Sequence, residues 1–311
     1  MKYKGSFRLL IMLTVIFVTL AGCSTSTKSK LADSKHKLQV VTTFYPMYEF
    51  TKNIAGDKAD VKLLIPSNVE PHDWDPAPKD VGEIQDADVF IYNSKYMETW
   101  VPNIQKTMNH DAPIFVAASK GISFKKGVAE DGTPNEVAID PHVWLSPVLA
   151  QKEVQNITKS LVKADPKNKK YYEKHSAQYM AKLKELDHEY RTQLKHVKKR
   201  EIITQHAAFG YLAATYGLKQ VPIAGLSPDQ EPSAARLAEL KSFAQAHHVK
   251  VIYFEELASP KVAKTLANEI GAKTDVLNTL EGLSTADQKK GLNYITEMKQ
   301  NLKKLVQSLN E

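Results

Sequence analysis

Apolar, β-branched runs alternate with stretches of helical period along most of this chain. "LQVVTTF" precedes the amphipathic "YPMYEFTKNIAG", and "VKLLIP", "PKDVGEIQDADVFIYN" and "APIFVAAS" continue the alternation. Continuous apolar strands set between helical segments belong to parallel sheets covered on both faces. After Pro147 the pattern turns helical to Pro166, and a longer helical stretch from about Asn168 to Lys199 contains no interior Gly or Pro. At ~1.5 Å per residue it would reach about 45 Å. The alternation resumes with "REIITQHAAFGYLAATYG", "KQVPIAG", "SAARLAELKSFAQAHHV", "KVIYFEE", "SPKVAKTLANEIG" and "AKTDVLNTL", and closes on the amphipathic "LNYITEMKQNLKKLVQSLN". The pattern therefore predicts an α/β fold of two lobes with mainly parallel sheets, an N-terminal one over 38–165 and a C-terminal one over 200–311. One long backbone helix, 166–199, joins them. Ligand sites in open α/β sheets sit at the carboxyl ends of the strands, so the cleft between the lobes is where chemistry is expected.

The first residues stand apart from this pattern. Lys2, Lys4 and Arg8 precede the apolar run "LLIMLTVIFVTLAG", which is shorter than the roughly 20 residues a spanning helix needs, so 1–22 reads as a secretory signal. "LAGC" resembles a bacterial lipobox, and that resemblance implies cleavage before Cys23 and a lipid on its thiol. The Ser-, Thr- and Lys-rich stretch over 23–37 reads as a flexible tether. Cys23 is the only cysteine, which excludes a disulfide and leaves no thiolate in the body for a metal.

The full chain carries a formal charge of +7, and removal of Lys2, Lys4 and Arg8 leaves 39 basic residues against 35 acidic ones, or +4. The lysines are interleaved with acids on helical faces, with no arginine cluster or aromatic-basic platform, so nucleic acid is not an expected partner.

Four loops that follow strands carry the candidate chemistry. His72 lies in "SNVEPHDWDPAP", stiffened by Pro66, Pro71, Pro76 and Pro78. His142 lies in "IDPHVWLSP", His206 opens the helical "HAAFGYLAATYG", and Glu281 follows the strand "AKTDVLNTL". A single histidine in a loop is ambiguous. Three imidazoles and one carboxylate at strand ends match the nitrogen and oxygen donors that zinc accepts in tetrahedral geometry. Asp140 is placed to orient the His142 ring, and Trp74 with Asp73 or Asp75 is expected to do the same for His72. His36, His110, His175, His188, His196, His247 and His248 fall in the tether, a turn or polar helical faces, and no chemistry is assigned to them.

The motifs "TTFYP", "EPHDWDP", "DPHVWLSP", "HAAFGYLA" and "LNTLEGLS" resemble those of the zinc and manganese solute-binding lipoproteins of bacterial ABC transporters, in particular the streptococcal zinc lipoproteins sometimes called laminin-binding proteins. The resemblance runs over essentially the whole chain after Cys23. It implies that His72, His142 and His206 are metal ligands with Glu281 completing the site, and that captured Zn2+ passes to a membrane permease driven by a cytoplasmic ATPase. It also implies a monomer held to the outer membrane face by lipid, with a host matrix protein as a further partner of some members. Manganese relatives usually carry a carboxylate where this chain has His206, so the donor set favours Zn2+ over Mn2+. Many zinc relatives have a His-rich loop before the second histidine, whereas "KKGVAEDGTPNEVAID" holds acids and no histidine.

Two other functions use the same residues or surface. A zinc hydrolase would leave the fourth metal position to water and use Glu281 as general base, but no HExxH, nucleophile elbow or phosphate-cradling glycine loop is present. A surface adhesin would rest on matrix-protein binding alone. The expectation is therefore a binding protein and not an enzyme.

Overall fold

The computed structural model describes residues 37–108, 112–129, 134–229 and 231–311. The signal segment, Cys23, the tether up to His36, and His110 lie outside the described residues, within which no helix is long and apolar enough to cross a membrane.

The predicted alternation is present. The N-terminal lobe runs β1 (Leu38–Thr42), α1 (Tyr45–Ala55), β2 (Ala59–Leu63), α2 (Pro78–Gln85), β3 (Val89–Tyr92), α3 (Val101–Thr107) and β4 (Ile114–Ala117). A two-stranded ribbon of β5 (Lys125–Val128) and β6 (Pro134–Asp140) follows, and then α4 (Pro147–Ala164) and α5 (Lys169–Leu194). The C-terminal lobe runs β7 (Glu201–Thr204), α6 (Gly210–Tyr216), β8 (Lys219–Pro222), α7 (Ala234–Ala246), β9 (Val251–Phe254), α8 (Lys261–Ile270), β10 (Lys273–Val276), α9 (Thr285–Lys289) and α10 (Tyr294–Asn310).

The main sheets are wholly parallel, in the orders β2-β1-β3-β4 and β10-β9-β7-β8. Counted within each lobe these are one topology, with the connection reversing direction between the first and third strands. The sequence carries no repeat that signals this. The four loops of interest all leave carboxyl ends or the ribbon that extends from them.

The ribbon was not legible in the sequence, where its residues read as an irregular stretch. Its strands are antiparallel, with a register shift between Lys126 and Gly127. Lys125, Lys126 and Gly127 obscure the period-two pattern on which a strand reading depends. The ribbon delivers Asp140 and His142 to the cleft.

The joining helix is shorter than the periodicity suggested. It is preceded by a 3-10 turn over Pro166–Asn168 and ends at Leu194. Arg200 supplies the stop: its guanidinium donates to the carbonyls of Leu194 and Lys195 at 2.7 and 2.8 Å, satisfying acceptors that a helix end leaves open. Nor is the helix an isolated strut. Tyr172, Tyr179, Leu183, Leu186, Tyr190 and Leu194 are buried along one face, in a core continuous with Phe44 and Phe50, Trp144 and Val154, and Tyr294, Met298 and Leu305 of α10. Tyr190 donates to the Met298 carbonyl at 2.6 Å. Both lobes thus share apolar packing around α5 and α10.

At the carboxyl ends of β1, β3 and β4 a buried polar cluster sets the height of the His142 loop. Glu98 accepts from Thr43 Oγ1 at 2.6 Å and from the backbone N–H groups of Asn93 and Ser94 at 3.0 Å each. Asn93 Nδ2 in turn donates to the Pro141 carbonyl at 3.0 Å, one residue before His142. Burial raises Glu98 to about 7 despite these donors. The folded protein therefore keeps this proton up to about pH 7, while the unfolded chain releases it near its ordinary 4.5, so this group's contribution to stability falls as pH rises through that window. The unfolding free energy of the wild type relative to Glu98→Gln is expected to drop by on the order of 3 kcal/mol between about pH 4.5 and pH 8. Urea denaturation across that range checks it, and a difference that stays constant with pH would remove the assignment.

Candidate metal centre

His72, His142, His206 and Glu281 converge. Each offers one donor atom, and the four atoms lie within 4.8 Å of one another. His72 comes from the loop after β2, and His142 from the turn between β6 and the 3-10 segment Val143–Leu145. His206 comes from the loop between β7 and α6, and Glu281 from the loop after β10. Two come from each lobe. No other group of three or more such side chains gathers in this way among the described residues.

Five of the six donor separations lie close to those of a tetrahedral shell. His142 Nε2 is 3.0 Å from His72 Nε2 and 3.2 Å from His206 Nε2. Glu281 Oε1 is 3.4 Å from the first two nitrogens and 3.8 Å from the third. Donors about 2.0–2.2 Å from a central ion stand roughly 3.3–3.6 Å apart in tetrahedral geometry. The His142 and His206 rings and the Glu281 carboxylate are almost wholly buried.

The far ring nitrogens decide which atoms face inward. His142 Nδ1 is 2.8 Å from Asp140 Oδ1, and His206 Nδ1 is 2.6 Å from Glu255 Oε2. A ring that donates Nδ1–H to a carboxylate presents the bare Nε2 lone pair on its other side. With the His142 and His206 rings neutral, their Nε2 lone pairs would meet at 3.2 Å. Glu281 Oε1, buried and without a hydrogen-bond partner, points into the same space. Such an arrangement is repulsive unless a cation or protons occupy its centre, and an orphaned buried carboxylate oxygen carries a desolvation cost that a cation removes.

The titration behaviour follows from this crowding. Burial opposes charge on His142, but the hydrogen bond to Asp140 and the close Glu281 carboxylate outweigh it and push the ring up to about 9. For His72 burial dominates and lowers the ring, with Glu281 only partly offsetting it. Burial also works against a charged Glu281, yet the His142 and His72 rings hold it well below the usual carboxylate range. Glu70 is pushed up to about 9 by burial and then by repulsion from Glu281.

The loops are held from behind. Asp140 Oδ1 accepts the His142 backbone N–H at 3.0 Å as well as facing its ring, as the sequence reading expected. The expected support for His72 differs. Its backbone N–H donates to Glu70 Oε1 at 3.1 Å, whereas Asp73 and Asp75 are exposed and Trp74 packs edge-on to Trp100. A loop of four prolines turns Glu70 inward, and only its place two residues ahead of His72 could have suggested it.

Glu255 was missed too. It directly follows β9, some fifty residues from His206, and parallel pairing of β7 with β9 brings the two together. Thr279 was likewise unremarked, and its hydroxyl donates to Glu281 Oε2 at 3.1 Å. The helix that follows is capped by Ser284, whose side chain accepts from Asp287 N, which leaves Glu281 to the cluster. The Trp144 indole N–H donates to the Thr279 carbonyl at 2.8 Å, across the two lobes.

Fold and cluster together are those of a two-lobed α/β protein with a buried candidate metal site of three nitrogens and one carboxylate. The chain belongs to the family described as zinc-uptake complex component A, periplasmic (ZnuA), whose model matches residues 40–308. It is 63% identical over 316 residues to the high-affinity zinc uptake system protein ZnuA of Bacillus subtilis, covering 99% of this chain and 98% of that one. It is 46% identical to the zinc-binding lipoprotein AdcA of Streptococcus pneumoniae over 97% of this chain, which spans 61% of the length of that relative. The crystal structure of the Zn(II)-bound ZnuA-like domain of the same AdcA superposes with a TM-score of 0.78 at 48% identity, covering 89% of this chain and 100% of the domain.

Because Asp140 and Glu255 set the tautomers of the two buried histidines, removing either carboxylate should weaken divalent-cation binding without touching a donor. Asp140→Asn and Glu255→Gln are each expected to lower affinity about ten- to a hundredfold. Competition against a chromogenic chelator measures this, and wild-type affinity in both variants would refute the tautomer argument.

Proposed function

We propose that the protein captures Zn2+ outside the cytoplasm and delivers it to the permease of an ABC importer, with His72, His142, His206 and Glu281 as the four ligands. The observation that carries the reading is the convergence of three Nε2 atoms and the orphaned Glu281 oxygen at tetrahedral spacing in a buried pocket. Three imidazoles and one carboxylate suit zinc better than manganese, which favours oxygen-rich, higher-coordinate sites. The same donors would also accept copper or nickel, so geometry and supply complete the selectivity. Membership of the zinc-uptake family and the Zn(II)-bound relative support the choice of metal.

The closed shell also argues for carriage over catalysis. With Glu281 in the fourth position no site is left for a reactive water, and the ion is held for release to a partner. We further infer that 38–165 and 200–311 act as the two lobes about 166–199, that the working form is a monomer, and that Cys23 carries the lipid that keeps the body at the outer face of the membrane.

Two measurements test this. Native mass spectrometry with elemental analysis is expected to find one zinc per chain, and Glu281→Ala should lower zinc affinity by orders of magnitude. That variant should also lose most of the metal-dependent stabilisation, which is roughly 4 kcal/mol at a thousandfold excess over Kd. A chain that takes up no zinc, or a variant that binds as the wild type does, defeats the reading. For the anchor, Cys23→Ala is expected to shift the protein from the membrane fraction to the medium or to leave it unprocessed. Unchanged membrane retention with normal processing would exclude lipid on Cys23.

A further inference from the structure

The two oxygens of Glu281 are treated differently. Oε1 is buried, lacks a hydrogen-bond partner and faces the three ring nitrogens, while Oε2 accepts from the Thr279 hydroxyl at 3.1 Å. We propose that Thr279 is a specificity-determining residue: by occupying Oε2 it limits Glu281 to one metal bond, fixes the coordination number at four, and so disfavours ions that require more ligands. The inference rests on the reading of His72, His142, His206 and Glu281 as the ligand set.

The hydroxyl cannot simply follow the carboxylate if Glu281 turns to chelate through both oxygens. The Thr279 carbonyl is held by the Trp144 indole N–H at 2.8 Å. Next to it, Leu280 is buried with φ of 58°, a left-handed conformation that a leucine adopts only under constraint from its surroundings. That constraint is visible: Asn278 Oδ1 accepts the Leu280 N–H at 2.7 Å, and Asn278 is tied to α10 by two hydrogen bonds with Asn301 at 2.9 and 2.8 Å. On the other side Gly282 lies against the Ser67 carbonyl so closely that a Cβ there would collide with it. The segment 278–282 is therefore pinned at both ends, and Thr279 and Glu281 are presented with their side chains matched.

The chemistry follows from coordination preferences. Zinc is satisfied by four donors, whereas manganese favours six in an octahedral shell. A carboxylate that can open to two bonds is a common way for a site to supply the extra donor, as in calcium centres. A hydrogen bond to an ionised oxygen is about twice as strong as one between neutral groups, so the Thr279 contact opposes that opening. Manganese in this centre is left short of ligands while zinc is not.

The test uses the full chain, with Thr279→Val to remove the hydroxyl at nearly constant shape and Thr279→Ser to retain it. Manganese and zinc affinities are measured by competition, and the protein loaded with Co2+ is read by its visible d–d bands, which are intense for four-coordinate and weak for five- or six-coordinate ions. Thr279→Val is expected to raise manganese affinity relative to zinc by about tenfold, the lower end of what a residue behind a ligand commonly contributes, and to weaken the Co2+ bands. Thr279→Ser should match the unmodified protein in both.

An unchanged affinity ratio and spectrum in Thr279→Val overturns the proposal, as does a Thr279→Ser variant that behaves like Thr279→Val. Weak Co2+ bands in the unmodified chain overturn it without recourse to any variant. In each of these cases, one zinc bound per unmodified chain leaves the proposed function standing, whereas failure of the unmodified chain to bind zinc removes both.

Discussion

The structure is organised around a repulsion. Three imidazole nitrogens, two of them 3.0 and 3.2 Å from the third, are turned toward one another with a carboxylate oxygen closing the fourth side. Hydrophobic packing does not by itself bring such groups together, and each is directed by a support that faces away from the centre. Asp140 and Glu255 fix the rings of His142 and His206, Glu70 fixes the backbone of His72, and Thr279 fixes one oxygen of Glu281. The rest of the fold keeps these supports in place. The β5–β6 ribbon carries Asp140, parallel pairing of β7 with β9 carries Glu255 to His206, and α10 anchors the loop of Glu281 through Asn301.

The shared core limits how such a centre can open. The helices α5 and α10 pack into the same apolar cluster as residues of both lobes, and Tyr294 of α10 donates to the Trp144 carbonyl while the Trp144 indole reaches Thr279. A wide hinge would strip apolar surface from α5 and break these buried hydrogen bonds together. The segment 278–282, which carries Glu281, is tied into the same framework through Trp144 and Asn301.

Much of this was legible in the sequence because the signals are local. Parallel strands show as continuous apolar runs such as "VVTTF" and "KVIYF", and prolines and a tryptophan around His142 announce a fixed turn. The four donor residues stood at strand ends, where an α/β sheet places its chemistry. The supports were less visible because they depend on pairing between distant elements. Glu255 is an ordinary acid at the end of a strand until β9 lies beside β7, and Thr279 is one more β-branched residue until Leu280 turns left-handed. The ribbon escaped because its first strand is Lys-Lys-Gly-Val, which has no apolar face to read. The length of α5 was overestimated because nothing in its periodicity marks Arg200 as the group that closes its last turn.

Charge balance explains why a centre so expensive to bury is stable. Glu281, Asp140 and Glu255 place three carboxylates around one small volume, and a dication neutralises most of their charge at a distance where no surface ion could. Asp140 and Glu281 push His142 up to about 9 against its burial, and burial followed by repulsion from Glu281 pushes Glu70 up to about 9. A metal bound through His142 Nε2 would have to displace any proton held there, so metal binding at this cluster would be coupled to proton release.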